Sequence, residues 1–303
     1  MKLPPLERRI EEGGYRYPHL GVEIARAKRT ATLLIEGPEK GALPETLDGI
    51  LERGASWWPL AFVRALDDAI LLLRANEPEI GTLLLRTKGS LDAVLLCEET
   101  MVRFKDHWFL REVIGFLRRT LRRLETTPKS LFALIDEGSS FAGILFELAL
   151  AADRSYMLKA PEGPRIALGP LNFGGLERLN GETRLQARFR AETPDAALSD
   201  LRGVSLDAEQ ALAQGLVTLA PDALDWEEEI RLAVEERASL SPDALSGLEA
   251  NLRFAGRESF ETKIFGRLSA WQNWIFSRPN ATGEEGALKS YGGGRPRFDW
   301  RRV

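Results

Sequence analysis

The stretch FALIDEGSSFAGILFELALAAD, residues 132–153, sets one carboxylate, Glu147, in an apolar run just after a glycine- and serine-rich turn. A strand that enters such a turn and leaves as a helix points unsatisfied backbone N–H groups one way, where they can hold charge developing on an oxygen. A carboxylate one turn further along reaches the carbon beside that oxygen. Apolar surroundings raise its pKa and suit it to acid–base work. The competing reading of Glu147 is a carboxylate neutralised by a nearby basic side chain. Other chemistry is scarce. No G-x-G-x-x-G follows a strand, and there is no P-loop and no G-x-S-x-G elbow. The two histidines read as structural: His107 opens an amphipathic helix and His19 sits beside Pro18. The single cysteine, Cys97, excludes an internal disulfide and every multi-cysteine zinc pattern, and no metal site is expected. Chemistry must rest on carboxylates, backbone N–H groups or arginine.

The elements that would position Glu147 can be read from periodicity. ATLLIEGP (31–38) and GTLLLRTKG (81–89) are apolar runs that stop at glycine or proline, as buried strands do, and SLFALIDEG (130–138) is a third. Between the first two, Leu66, Ile70 and Leu73 mark an amphipathic helix that Asn76 and Pro78 end. Between the second and third, Leu110, Val113, Ile114, Leu117, Leu121 and Leu124 share one face of a long helix. Strands alternating with helices of this length imply parallel pairing through right-handed crossovers. Residues 1–20 read as a polar lead-in. From 206 onward helix follows helix, ending in a glycine-rich basic tail with Trp300 as its expected anchor.

Composition narrows the setting. With 44% hydrophobic and 28% charged residues and a net charge of −4, the 303-residue chain is an ordinary globular one. Nothing suggests a nucleic-acid footprint. The densest basic run, Arg118, Arg119, Arg122 and Arg123, reads as a solvated helix face, with a phosphate-bearing ligand or an acidic partner as the sharper alternative. One cysteine, no signal-peptide pattern and no apolar run of membrane-spanning length lead to the expectation of a cytoplasmic protein without membrane contact.

The stretch around Glu147 resembles the signature of the crotonase (enoyl-CoA hydratase/isomerase) superfamily, a helix reading G-G-x-x-E-L-A-L-x-x-D. Glu147, Leu148, Ala149 and Asp153 match at the right offsets, Gly143 matches one glycine, and Ile144 stands where the oxyanion-hole glycine lies. DAEQALAQGLV (207–217) is similar to that family's A-x-x-A-x-x-x-G-L-V element. The resemblance implies an α/β crotonase-like ββα spiral core over 20–220 and a C-terminal helical extension over 221–303. It also implies an acyl-CoA thioester as substrate and no cofactor beyond the CoA carried by that substrate. Glu147 would be the catalytic acid or base, with the amides of Ile144 and Cys97 on the thioester oxygen and Gly143 and Arg165 as substrate contacts. Two departures stand out. DAVLLCEE (92–99), where the first oxyanion turn is expected, contains no glycine. Arg165, four residues before Gly169, takes the place of the family's second glutamate.

The whole chain, including HWFLREVIGFLRRTL, SPDALSGLEANLRF and FGRLSAWQNWIFSRPNATGEEGALKSYG and the closing FDW, resembles the C-terminal half of the benzoyl-CoA-dihydrodiol lyase family. That family cleaves the ring of an oxidised benzoyl-CoA and releases formate. Two readings stay open at this level. One is a carbon–carbon lyase using Glu147. The other is a non-catalytic crotonase-fold module that dimerises or docks onto a separate N-terminal crotonase-like half. Trp271, Trp274 and Ile275 at helical spacing add the expectation of a homo-oligomer.

Overall fold

The computed structural model describes residues 3–190, 198–256, 258–294 and 296–302. A seven-stranded sheet runs in chain order: β1 (Arg9–Glu11), β2 (Gly14–Tyr17), β3 (Leu20–Ala25), β4 (Thr30–Glu36), β5 (Thr82–Lys88), β6 (Ser130–Ile135) and β7 (Arg154–Met157). The first four strands form an antiparallel meander, and β4 to β7 pair in parallel. The lead-in expected over 1–20 therefore contributes two strands. GYRY at 14–17 buries both tyrosines and leaves Arg16 exposed, an alternation masked in the sequence by its polar surroundings.

The parallel connections are helical. Helices α1 (Leu47–Arg53) and α2 (Trp58–Asn76) join β4 to β5. Helices α3 (Leu91–Arg103) and α4 (Trp108–Glu125) join β5 to β6, and α5 (Gly143–Ala151) joins β6 to β7. His107 caps α4, its Nδ1 accepting the Phe109 N–H at 3.3 Å, as its structural reading required. Beyond β7, β8 (Ile166–Ala167) and β9 (Ser205–Leu206) form a small antiparallel pair, with α6 (Arg184–Phe189) between them and α7 (Ala208–Ala213) after them.

Strand β6 is buried on both faces. Leu131, Ala133 and Ile135 enter the main core with α2, α4 and α5. Phe132 and Leu134 point the other way, against Trp226, Ala233 and Val234 of α8 (Trp226–Ser239). The C-terminal helices begin, then, by covering the far face of the sheet. They continue as α9 (Pro242–Arg253), a π-helical segment (Thr262–Leu268), α10 (Ser269–Phe276) and α11 (Pro279–Thr282). Trp271 and Ile275 of α10 pack closely on Gly247 of α9, where a Cβ would make a tight contact with the Trp271 ring.

The tail returns to the sheet, held by Arg302 more than by Trp300. The Trp300 ring lies under the Arg29 guanidinium, 3.4 Å from its centroid, and remains partly exposed. Arg302 is buried and donates to Gly81 O at 2.6 Å, Ser130 Oγ at 3.1 Å and Glu249 Oε2 at 2.7 Å. Removing one member of a buried ion pair strands the other, typically at about 3–5 kcal/mol. Because Glu249 keeps Arg237 at 3.2 Å, Arg302→Ala should fall near the low end, about 3 kcal/mol, in urea denaturation. A loss under about 0.5 kcal/mol, the range of an ordinary surface change, would show that the tail is not structurally coupled.

Candidate functional site

Helix α5 is buried along its whole length, as a helix apolar on every side must be. Its one carboxylate, Glu147, is 1% exposed. Oε1 accepts from Asn172 Nδ2 at 2.6 Å and Oε2 from Arg184 Nη1 at 2.7 Å. Asn172 belongs to a 3-10 turn (Pro170–Phe173) and also donates to Gly143 O at 3.0 Å. Arg184 opens α6 and continues to Glu125 Oε2 at 3.0 Å, and Arg178 Nε meets Glu125 Oε1 at 2.9 Å. Burial pushes the Glu147 pKa up, while Arg184 and Asn172 oppose the shift. Both Glu147 oxygens are thus committed to protein partners, the arrangement of a neutralised structural carboxylate.

At the start of α5 the amide of Ile144 does point at an oxygen, and that oxygen belongs to the protein. Glu98 of α3 is fully buried, with Oε2 accepting the Ile144 N–H at 2.6 Å and Oε1 the Leu171 N–H at 2.6 Å. Two glycines make the room. A Cβ on Gly143 or on Gly169 would overlap the Glu98 carboxylate, and Gly143 has φ +45°. No salt bridge reaches Glu98 among the described residues. Burial raises its pKa to about 7; the two amides and Arg202 pull it down, and nearby Glu147 pushes it up. A cavity of about 480 Å³, lined by Pro170, Leu171 and the basic residues Lys105, Arg111 and Arg118, lies alongside. Chemically, this is a two-amide cradle able to hold a carboxylate or a polarised carbonyl oxygen, filled here by a side chain.

The other expected site residues lie apart. Cys97 is buried in the middle of α3, where its N–H belongs to the helix ladder, so it supplies no oxyanion amide; burial pushes its thiol pKa up. The second amide of the cradle is that of Leu171. DAVLLCEE is helix, capped by Ser90, whose side chain accepts from Ala93 N. Arg165 is exposed at the β8–β9 pair, with Nε on Ser205 Oγ at 2.6 Å and Nη2 on Ser205 O at 2.8 Å. The Arg118–Arg123 run is only partly a solvated face. Arg118 and Arg122 donate to the carbonyls of Gly175 and Glu177, and Arg123 pairs with Asp67. Sequence reasoning missed Glu98, Asn172 and Arg184. For Glu98 a signal existed: it shares the buried face of α3 with Val94, Cys97 and Met101.

Comparison with solved structures places this architecture. An enoyl-CoA hydratase from Geobacillus kaustophilus HTA426 superposes with a TM-score of 0.67 at 17% identity, covering 94% of this chain and 98% of that one. The enoyl-CoA hydratase of Bacillus anthracis gives 0.64 at 16% identity, covering 93% and 100%. The chain has the crotonase fold. Within that fold, a sequence relative is the benzoyl-CoA-dihydrodiol lyase of Aromatoleum evansii, 51% identical over the whole of this chain. The chain covers 55% of that relative, so it spans about half the relative's length. No protein-family model matches. Among the described residues no group of three or more His, Cys, Asp or Glu could hold a metal ion, and no helix is long and apolar enough to cross a membrane.

The buried Glu98 carboxyl makes stability depend on pH. Its pKa is raised from 4.5 to about 7, so the folded state holds an extra proton between those values and stability falls as pH rises through that window. The full effect is of the order of 3 kcal/mol at about 1.4 kcal/mol per pKa unit. Urea denaturation across this range should show that decline in the wild type and lose most of it in Glu98→Gln. Equal slopes for the two proteins would mean that Glu98 titrates normally.

Proposed function

We propose that this chain is a benzoyl-CoA-dihydrodiol lyase-type protein that acts in, or supports, C–C cleavage of an oxidised aromatic acyl-CoA thioester with release of formate. The observation that carries the proposal is the 51% identity to that lyase over the whole of this chain. The crotonase fold and the Ile144–Leu171 amide cradle are consistent with it, because two neighbouring N–H groups, each now on one oxygen of the Glu98 carboxyl, could serve a polarised thioester oxygen. For the thioester to bind there, Glu98 withdraws and the carbonyl oxygen takes over its two hydrogen bonds. Glu147 then lies one helical turn from the cradle, within reach of the reacting carbon once freed from Asn172 or Arg184. The substrate brings its own CoA, and no separate cofactor is proposed.

One observation favours a second reading, a crotonase-fold module that supports a separate catalytic half and has no turnover of its own. Glu98 already occupies the cradle, and both oxygens of Glu147 are engaged. Assembly is part of either reading. Phe260 and Phe265 are 73% and 76% exposed, and Trp271 and Trp274 further along the chain are partly exposed, apolar side chains suited to a homo-oligomer or to an N-terminal crotonase-like half.

Titration with benzoyl-CoA and its oxidised derivatives, followed by a formate assay, separates the two readings. On the first, the purified chain binds the thioester and releases formate. Glu147→Gln then keeps binding and lowers the rate by about 10²-fold, the scale for loss of a general acid or base. Formate release unaffected by Glu147→Gln would remove that residue's role. Binding without any formate release from the wild type would select the second reading.

A further inference from the structure

The opposite end of α5, about 13 Å from the cradle at 1.5 Å per residue, carries a feature that the thioester reading does not use. A cleft of about 370 Å³ opens there, bordered by the last residues of α5 and by α6, α8 and α9. Six arginines face it against three carboxylates. Most are paired. Arg178 and Arg184 share Glu125, and Arg253 holds Asp153 through two bonds of 2.6 and 2.7 Å. Arg237 reaches Glu249, which it shares with Arg302, and Arg154 meets Glu236 at 3.5 Å. With their further partners included (Glu147, the exposed Glu236 and Arg302), the described residues hold seven cations against five anions.

The surplus centres on Arg188. Its Nε donates to Gly215 O at 2.5 Å, and among the described residues no carboxylate pairs with it. Burial lowers its pKa, the mark of a cation held away from water without a countercharge. Arg184 Nε and Arg237 Nε are also buried without an acceptor. The surplus of two positive charges among the described residues, in a partly desolvated cleft, costs free energy unless an anion neutralises it. We propose that this cleft binds a phosphate group, through Arg188 together with Arg154 and Arg237. A phosphate monoester carries about −1.5 to −2 charges and several strong acceptor oxygens, which matches the surplus and the several guanidinium forks. A carboxylate would neutralise half of it. The cleft exceeds what one phosphate fills, so the group could arrive free or at the end of a larger ligand such as the phosphoadenosine portion of CoA.

Calorimetric titration of the full chain with inorganic phosphate, free CoA and dephospho-CoA tests this without reference to turnover. Arg188→Gln should weaken binding at least about tenfold and Arg188→Lys much less, because charge is retained while the fork is lost. Arg154→Gln, at a more exposed position, should weaken it too and guards against a folding defect in the first variant. Phosphate binding that depends on Arg188 supports a free anion as ligand. Arg188-dependent binding of CoA, but not of phosphate or dephospho-CoA, supports the proposal with the 3′-phosphate of CoA as the source. Absence of binding by all three probes, or binding indifferent to Arg188→Gln and Arg154→Gln, overturns it. Because the readout is binding alone, failure of the lyase reading leaves this result interpretable.

Discussion

Helix α5 is enclosed on every side, so the one carboxylate it carries has to find its partners inside the protein. An unpaired buried carboxylate is among the costliest features a fold can contain. Meeting that demand recruits Asn172 from the turn after β8 and Arg184 from α6. Arg184 in turn needs Glu125 at the end of α4, which also takes Arg178, and Arg178 reaches the Arg253 carbonyl on α9. Arg253 closes the circuit on Asp153, whose other role is to accept the Leu131 N–H at 2.7 Å at the start of β6. A single helix-borne charge thereby ties together segments from the end of α4 to α9. Networks of this kind are costly when partly satisfied and confer definite geometry when complete.

The two ends of α5 serve different chemistry. At its N-terminus the helix dipole, the Ile144 N–H and the Leu171 N–H of the neighbouring 3-10 turn favour an oxygen acceptor, which the Glu98 carboxyl supplies from within. At its C-terminus the dipole has the opposite sign, and arginines gather there. Glu98 lacks a cationic partner because the amides do part of that work, and the remainder appears as its raised pKa. The cradle thus already holds the two oxygens of the Glu98 carboxyl, so the thioester reading requires Glu98 to move.

Much of this was legible in the residues, for identifiable reasons. The parallel strands β4, β5 and β6 are continuous apolar runs bounded by glycine or proline, and α2 and α4 carry clean helical periodicity, so local pattern sufficed. Glu147 stood out because a charge in FELALA has nowhere to hide. Its partners did not, since Asn172 and Arg184 lie 25 and 37 residues further on and nothing local marks their return to α5. The oxyanion assignment missed the second amide, which is that of Leu171, far along the chain from Cys97; the resemblance directed attention to a turn where this sequence builds the helix α3, whose Glu98 supplies the acceptor instead. Strands β1 and β2 hid because they are short, charged and near an edge. Arg302 hid because a basic tail ordinarily reads as solvated.

The anchoring of Arg302 also bears on how the chain is made. Its bond to Gly81 joins residues 221 positions apart, and its ion pair with Glu249 lies beneath the strand pair β5–β6. During synthesis the strands and their covering helices emerge long before this cation does, leaving Glu249, already met by Ser130 and Arg237, without its last partner. At about 5–20 residues per second the interval between residue 81 and residue 302 is of the order of ten seconds or more, far longer than collapse of a small core. The nascent protein should therefore dwell in a collapsed form whose tail is not yet anchored at the start of β5 and β6, a period in which chaperone contact or pairing with another subunit competes with docking of its own tail.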